Sequence, residues 1–338
     1  MDHQDLAVSR FSTMIKLISL ASVLLLASSN LRAQLNVYYV DVGQGDAIYI
    51  ELPNHHNVLI DGGPSGEPIA KFLKEKGVTT IDHVLLTHPH SDHYRGLKKV
   101  FTAFDVKNYY DTKAENRDAQ GDNNLRDLAA AEPGCKTHYP EPGETLNWDS
   151  RVTVKVLNSC YEPVITHNND ETNACSLVIR LFYNGTGLLF MGDADAAVEN
   201  AMTRIFKSGL QSYGLKVGHH GSRYSSTDAF LARVQPKVAV ISVGVDNVYG
   251  HPHKEAIDRI RATGAKIFYT TSGTQTLFIP APKKGVEPVL QGPVPYDPGA
   301  AAQPQAVRDV VYTPEVQAPV SVNSQALDQL TQQAADQN

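Results

Sequence analysis

The stretch Thr87-His88-Pro89-His90-Ser91-Asp92-His93 decides how the rest of this chain is read. It places three imidazoles and a carboxylate within six residues, directly after Ile81-Asp82-His83-Val84-Leu85-Leu86. A short apolar run bounded by polar residues reads as a buried strand. The polar cluster then occupies the loop at a strand's carboxyl end, where open α/β sheets place their chemistry. His88 and His90 are two apart and can grip one ion; Asp92 and His93 follow at the next turn and can grip a second. Imidazole with carboxylate suits zinc, and also manganese or iron. Isolated histidines are ordinary surface residues, but four donors at this spacing behind a buried strand point to a metal.

His-x-His-x-Asp-His is similar to the signature of the metallo-β-lactamase superfamily. Val40-Asp41-Val42-Gly43-Gln44-Gly45-Asp46-Ala47 and Leu59-Ile60-Asp61-Gly62-Gly63 resemble the opening of the hydrolase domain of ComEC-type DNA-uptake proteins. Phe190-Met191-Gly192-Asp193-Ala194, Lys216-Val217-Gly218-His219-His220-Gly221-Ser222 and Tyr249-Gly250-His251-Pro252-His253 follow in the order of that branch. The resemblance runs over about residues 35 to 280 and implies a four-layer αββα sandwich. It also implies a dinuclear centre, with two divalent ions, zinc or manganese, bridged by Asp193. Read without the resemblance, Asp193 is equally suited to cap the helix that starts at Ala194, as is Asp195. Asp61 is implied to order the metal loop through hydrogen bonds.

His219 and His220 close a short apolar run, Leu215 to Gly218, read as a strand. Neighbours on a strand face opposite ways, so one completes an ion's shell and the other faces substrate or donates a proton. His219 is favoured as the ligand and His220 for catalysis, together with Asp92. His251 and His253 are two apart and can share a face, one meeting metal or a substrate oxyanion; alternatively both are loop residues ahead of the next helix. His253 is carried as a catalytic candidate, and Asp46, Ser222 and His251 as substrate-binding ones. Other superfamily members have a further histidine before the strand that precedes the bridging aspartate. Here that place reads Asp170-Glu171-Thr172-Asn173, so Asn173 stands nearest and the first ion has fewer nitrogen donors.

The segment from Met14 through the apolar run Leu17 to Ala27 to the small residues before Gln34 reads as a secretory signal (1–33). The run is too short for a stable membrane span of about 20 residues. Export to the periplasm or beyond gives meaning to Cys135, Cys160 and Cys175: one disulfide and one thiol left over, the pairing unreadable. The net charge is −6, which counts against extensive phosphate contacts, although Arg95, Lys98, Lys99 and Arg223 flank the two histidine clusters. From about residue 281 to 338, Pro, Ala and Gln dominate, as in a flexible tail. A partly alternating run at 35–42, an alternating one at 46–52 and a short apolar one at 57–60, then strand–helix units to about residue 280, give two βαβ-like halves. Two sheets packed face to face with helices outside suit that order.

Water bound to such a dinuclear centre loses its proton near neutral pH, at a pKa of about 7. The resemblance therefore implies a hydrolase, with a small phosphodiester or DNA as its substrate. Proteins of that branch carry large membrane domains; this chain is expected to act as a free exported enzyme. The alternatives are hydrolysis of a lactone, β-lactam or thioester, and a binding module without catalysis. Neither the natural substrate nor the oligomeric state is legible.

Overall fold

The computed structural model describes residues 34–116, 123–160, 164–166, 169–245, 247–282 and 288–292. The signal segment and most of the tail lie outside them. Chain order begins with β1 (Leu35–Tyr39), β2 (Ile48–Glu51), β3 (Asn57–Ile60), α1 (Gly66–Glu75), β4 (Thr80–Ile81), β5 (His83–Leu85) and α2 (Ser91–Ala103). There follow β6 (Asp105–Val106), β7 (Asn108–Tyr110), β8 (Ala114–Asn116), α3 (Asn123–Ala131), β9 (Lys136–His138), β10 (Thr145–Leu146), β11 (Thr153–Asn158) and β12 (Val164–Thr166). The second half holds α4 (Asn169–Ala174), β13 (Val178–Tyr183), β14 (Thr186–Phe190), α5 (Ala196–Phe206), β15 (Gly214–Lys216) and α6 (Asp228–Val234). It closes with β16 (Val238–Ile241), α7 (Lys254–Ala262), β17 (Lys266–Tyr269), β18 (Gln275–Ile279) and β19 (Val289–Gln291).

An eight-stranded sheet runs β19-β18-β1-β2-β3-β5-β7-β9, and a seven-stranded sheet runs β10-β11-β13-β14-β15-β16-β17. Strand periodicity explains why they stack. In β1, Leu35, Val37 and Tyr39 enter the core between the sheets, while Tyr38 and then Val40 face a second core under α1 and α2. In β14, Leu188 and Phe190 enter the same inter-sheet core, and Leu189 faces a third core under α5 and α6. Strands buried on both faces read as continuous apolar runs rather than alternating ones. Both faces of each sheet are covered, giving the helix–sheet–sheet–helix layering expected from the sequence.

Three local features are not evident from the sequence pattern. The stretch before Cys175 contains α4. The segment Val106 to Asp111 is not one strand: β6 pairs with β4 and β7 with β5. The sheet also extends past residue 280: β19 pairs antiparallel with β18, and its Leu290 is fully buried. A tail composition hid that short strand. Cys160 and Cys175 form the disulfide, leaving Cys135 free. Closing a loop of 15 residues contributes about 3 kcal/mol. Among the described residues no helix is long and apolar enough to cross a membrane.

Glu199 of α5 is fully buried, and its carboxylate accepts the backbone N–H groups of Ser226 and Thr227. Burial outweighs those hydrogen bonds and pushes its carboxyl up from 4.5 to about 7. A folded-state pKa above the unfolded one means the folded chain holds the extra proton between those values. Stability from this group is therefore full below about pH 4.5 and is lost as pH rises through about 7. The loss approaches about 3 kcal/mol at 1.36 kcal/mol per unit. Denaturant unfolding from pH 4.5 to 8 is expected to show a decline that Glu199→Gln flattens; parallel curves for the two proteins would refute this assignment.

Candidate metal centre

Five loops meet at one edge of the sandwich, at the carboxyl ends of parallel strands. β5 leads into the 87–90 loop and the first turn of α2, and β3 into Asp61. β14 leads into Asp193, β15 into His219 and His220, and β16 into the 244–253 loop. Asp61 is the first organiser. It accepts the backbone N–H of Thr87 at Oδ1 (2.8 Å) and the Thr87 hydroxyl at Oδ2 (2.7 Å). Its Oδ2 also lies 2.8 Å from His93 Nδ1, which fixes that ring and aims Nε2 the other way.

Asp193 is the hub. Its carboxylate oxygens lie 3.4 Å from His93 Nε2, 3.4 Å from His220 Nε2, 3.8 Å from His88 Nε2 and 4.0 Å from His219 Nε2. Asp92 Oδ2 is 3.3 Å from His220 Nε2 and 4.0 Å from His93 Nε2. His90 joins through Nδ1, 2.9 Å from His88 Nε2. The helix cap that Asp193 might have supplied belongs to Asp195, which accepts from Ala197 and Val198 at the start of α5. His88, His93 and Asp193 offer ligand atoms within 4.8 Å of one another, as do Asp92, His93 and His220.

Several of these polar atoms are closed to water and make no hydrogen bond. His90 Nε2, His93 Nε2, His220 Nε2, Asp193 Oδ1 and Asn173 Oδ1 are buried without a hydrogen-bond partner. Leaving a buried polar atom unsatisfied costs about 1–3 kcal/mol, so His93 Nε2, His220 Nε2 and Asp193 Oδ1, gathered around the Asp193 carboxylate, mark a cradle for cations. The charges agree. Burial opposes ionisation of Asp193, yet His220, His93 and His219 outweigh it and hold the carboxyl well below its usual range. Burial likewise opposes charging of His93, but Asp193, Asp61 and Asp92 hold its pKa above the ordinary value. The carboxylates thus demand positive charge between them. A cation entering there must displace protons, so its affinity rises with pH.

The reading of His219 and His220 is corrected. They do not continue a strand: both have left-handed backbone, φ 47° and 52°. That turn sends His220 inward, almost fully buried, with Nδ1 2.8 Å from the Ser242 carbonyl and Nε2 toward the carboxylates. His219 is the outer ring, beside Asn173 Nδ2 at 3.4 Å. The positions favour His220 over His219 as a ligand. Asp46, read as a substrate-binding candidate, is buried behind His220, paired with the fully buried Lys216 at 2.7 Å, and is not among the residues that line the cleft. Lys216 was missed; the signal available was a lysine inside the apolar run Leu215-Lys216-Val217.

The cradle forms the floor of an open cleft of about 660 Å³, lined among others by Asn173, Ser222, His251, His253, Arg95, Tyr224 and Tyr249. Ser222 is buried, its hydroxyl accepting the Tyr224 N–H at 3.3 Å. His253 stands at the first position before α7 but makes no side-chain cap; its Nδ1 accepts the Arg223 N–H at 3.2 Å. Burial, with His220, His219 and His253 nearby, lowers His251 to about 4, so it is neutral at pH 7.

With this geometry in place the class is clear: the chain belongs to the metallo-β-lactamase superfamily, whose profile matches residues 40–245. Domains of that superfamily bind divalent metals, usually two, and are usually metal-dependent hydrolases. Its curated relatives are ComEC-type competence proteins at modest identity. The chain is 27% identical over 250 residues to ComE operon protein 3 of Bacillus subtilis (strain 168), covering 68% of this chain and 31% of that protein. It is 29% identical over 233 residues to Competence protein ComA of Neisseria gonorrhoeae, covering 68% and 30%. The chain thus spans about a third of the length of these relatives. A mutant form of CmlA beta-hydroxylase shares the fold, with a TM-score of 0.50 at 15% identity over 72% of this chain and 54% of that one.

Proposed function

We propose that this chain is an exported phosphodiesterase that depends on two divalent cations, zinc or manganese. The observation that carries the reading is Asp193, a single buried carboxylate within 4.0 Å of four imidazole nitrogens that approach from two sides. His88 and His90 would hold one cation, Asp92, His93 and His220 the other, with Asp193 between them. Where other superfamily members offer an imidazole, Asn173 offers an amide oxygen; that harder donor favours manganese on the first side. When bound, the ions would supply Lewis acidity and water activated at neutral pH.

The remaining chemistry belongs to the chain. Asp61 fixes the His93 ring, and the Asp46–Lys216 pair backs His220, so the cradle is rigid before substrate arrives. Because His253 Nδ1 accepts a hydrogen bond, the proton of its neutral ring sits on Nε2. That N–H and the neutral His251 can donate to phosphoryl oxygens, stabilising negative charge that grows there. Arg95 and Arg223 at the rim favour an anionic substrate. Similarity to competence proteins supports a phosphodiester in nucleic acid. The disulfide and the N-terminal apolar segment support export, since disulfides persist in oxidising compartments.

The test is turnover of bis-p-nitrophenyl phosphate, nitrocefin and a lactone by the purified chain with manganese or zinc. The diester is expected to react and a chelator to stop it. Turnover of nitrocefin or lactone with the diester untouched would overturn the substrate class. No bound metal and no turnover would favour a binding module.

A further inference from the structure

The large apolar side chains left exposed among the described residues gather around the cleft loops. Tyr224 is 69% exposed and Tyr249 62%, with Val245 and Val248 beside the latter in sequence. Scattered exposed apolar residues need no explanation, but clustered ones mark contact sites. Both tyrosines line the mouth of the cleft above Asp193.

Neither ring hangs on loose chain. The loop carrying Tyr224 is gripped from below by Glu199 through Ser226 and Thr227. Arg259 donates to the carbonyls of Arg223, Ser225 and Ser226 at 2.8–2.9 Å. The loop carrying Tyr249 is closed by Asn247, which donates to the Gly244 and His251 carbonyls and accepts the His251 N–H, at 2.7–2.9 Å. Tyr249 lies nearly parallel to His251, centroids 5.8 Å apart at 22°. His251 in turn lies 5.3 Å from the His219 ring, edge-on. Aromatic rings therefore lead without a break from the rim to the floor.

We propose that Tyr224 and Tyr249 are a stacking platform for the nucleobase next to the phosphodiester held at the floor, which makes the substrate class single-stranded nucleic acid. This rests on the phosphodiesterase reading above. A duplex hides its base faces, whereas an unpaired strand presents them, and aromatic rings take any base because every base has a π-face. The charge of the cleft argues the same way. Arg95 is the one Lys or Arg among the described residues that line this cleft, so few phosphate contacts are on offer there and ring stacking adds affinity that counterion release does not supply. DNA and RNA offer the same base faces, and both belong in the test.

The experiment measures binding of labelled short single strands, DNA and RNA, to the full chain with manganese. Each is compared with an abasic strand of equal length and with the duplex. Tyr224→Ala and Tyr249→Ala are each expected to weaken base-bearing strands by about 5- to 150-fold. The preference over the abasic strand should collapse, and Tyr→Trp variants should keep it. Equal loss on base-bearing and abasic strands, no loss, or duplex binding as tight as the single strand overturns the platform. Cleavage by the unaltered chain separates the two ideas. A chain that cleaves but ignores the tyrosine changes sinks the platform alone. A chain that binds with base preference but never cleaves sinks the hydrolase reading alone.

Discussion

Asp193→Asn is expected to cut turnover at least about a thousandfold, and to lower the metal content found by elemental analysis, in a chain that stays folded. Asparagine keeps the volume and the backbone bond to Ser176 Oγ, so packing at the end of β14 survives. It removes the one negative charge shared by both sides of the cradle. An amide cannot neutralise two cations, and losing several kcal/mol of charge stabilisation amounts to three or more decades in rate. Activity within tenfold of the unaltered chain, at unchanged metal stoichiometry, would show that Asp193 is not the bridge.

The second large effect is expected at Gly96. Helix propensity alone says that alanine in a helix interior is better than glycine by about 1 kcal/mol. The structure says the opposite. A methyl at Gly96 would stand 1.7 Å from the Gly62 carbonyl oxygen, which is backbone and has no rotamer to change. Here α2 lies directly against the loop after Asp61, with the Gly62 N–H bonded to the His93 carbonyl and the Gly96 N–H to the Gly63 carbonyl. That contact seats Asp92 and His93 against Asp61. Gly96→Ala is therefore expected to destabilise by about 3 kcal/mol, near the upper end for overpacking. The melting temperature should fall by about 10 °C. A melting temperature equal to or above that of the unaltered chain would refute the close packing.

What the sequence made legible was local. His88 to His93 stand in one loop and the helix turn that follows it, so a contiguous motif exposed their chemistry, while Asp193 stood out at a strand end. The order of strand and helix runs suited two similar halves, and the family resemblance implied that their sheets pack face to face. What stayed hidden depended on backbone conformation or on distant partners. His219 and His220 occupy left-handed turn positions, a conformation that no apolar pattern reports, and so reading them as the end of a strand missed the turn that sends His220 inward. Asp46 sits in a glycine-rich turn that looked like a substrate loop; only the fold brings Lys216 beneath it. The disulfide partner of Cys175 was open between Cys135 and Cys160 until the end of β11 was placed beside α4. Composition concealed β19, because a single triplet, Val289-Leu290-Gln291, between prolines carries little signal.

The pairing of β1 with β18 has a consequence for biogenesis. The earliest described strand waits for one of the latest before its outer edge is satisfied. A chain emerging from the ribosome, or threaded through a translocon, therefore cannot complete its first sheet until residues 275–279 arrive. Contacts of such long sequence separation make for slow folding. Until then an unpaired edge invites chaperones or self-association.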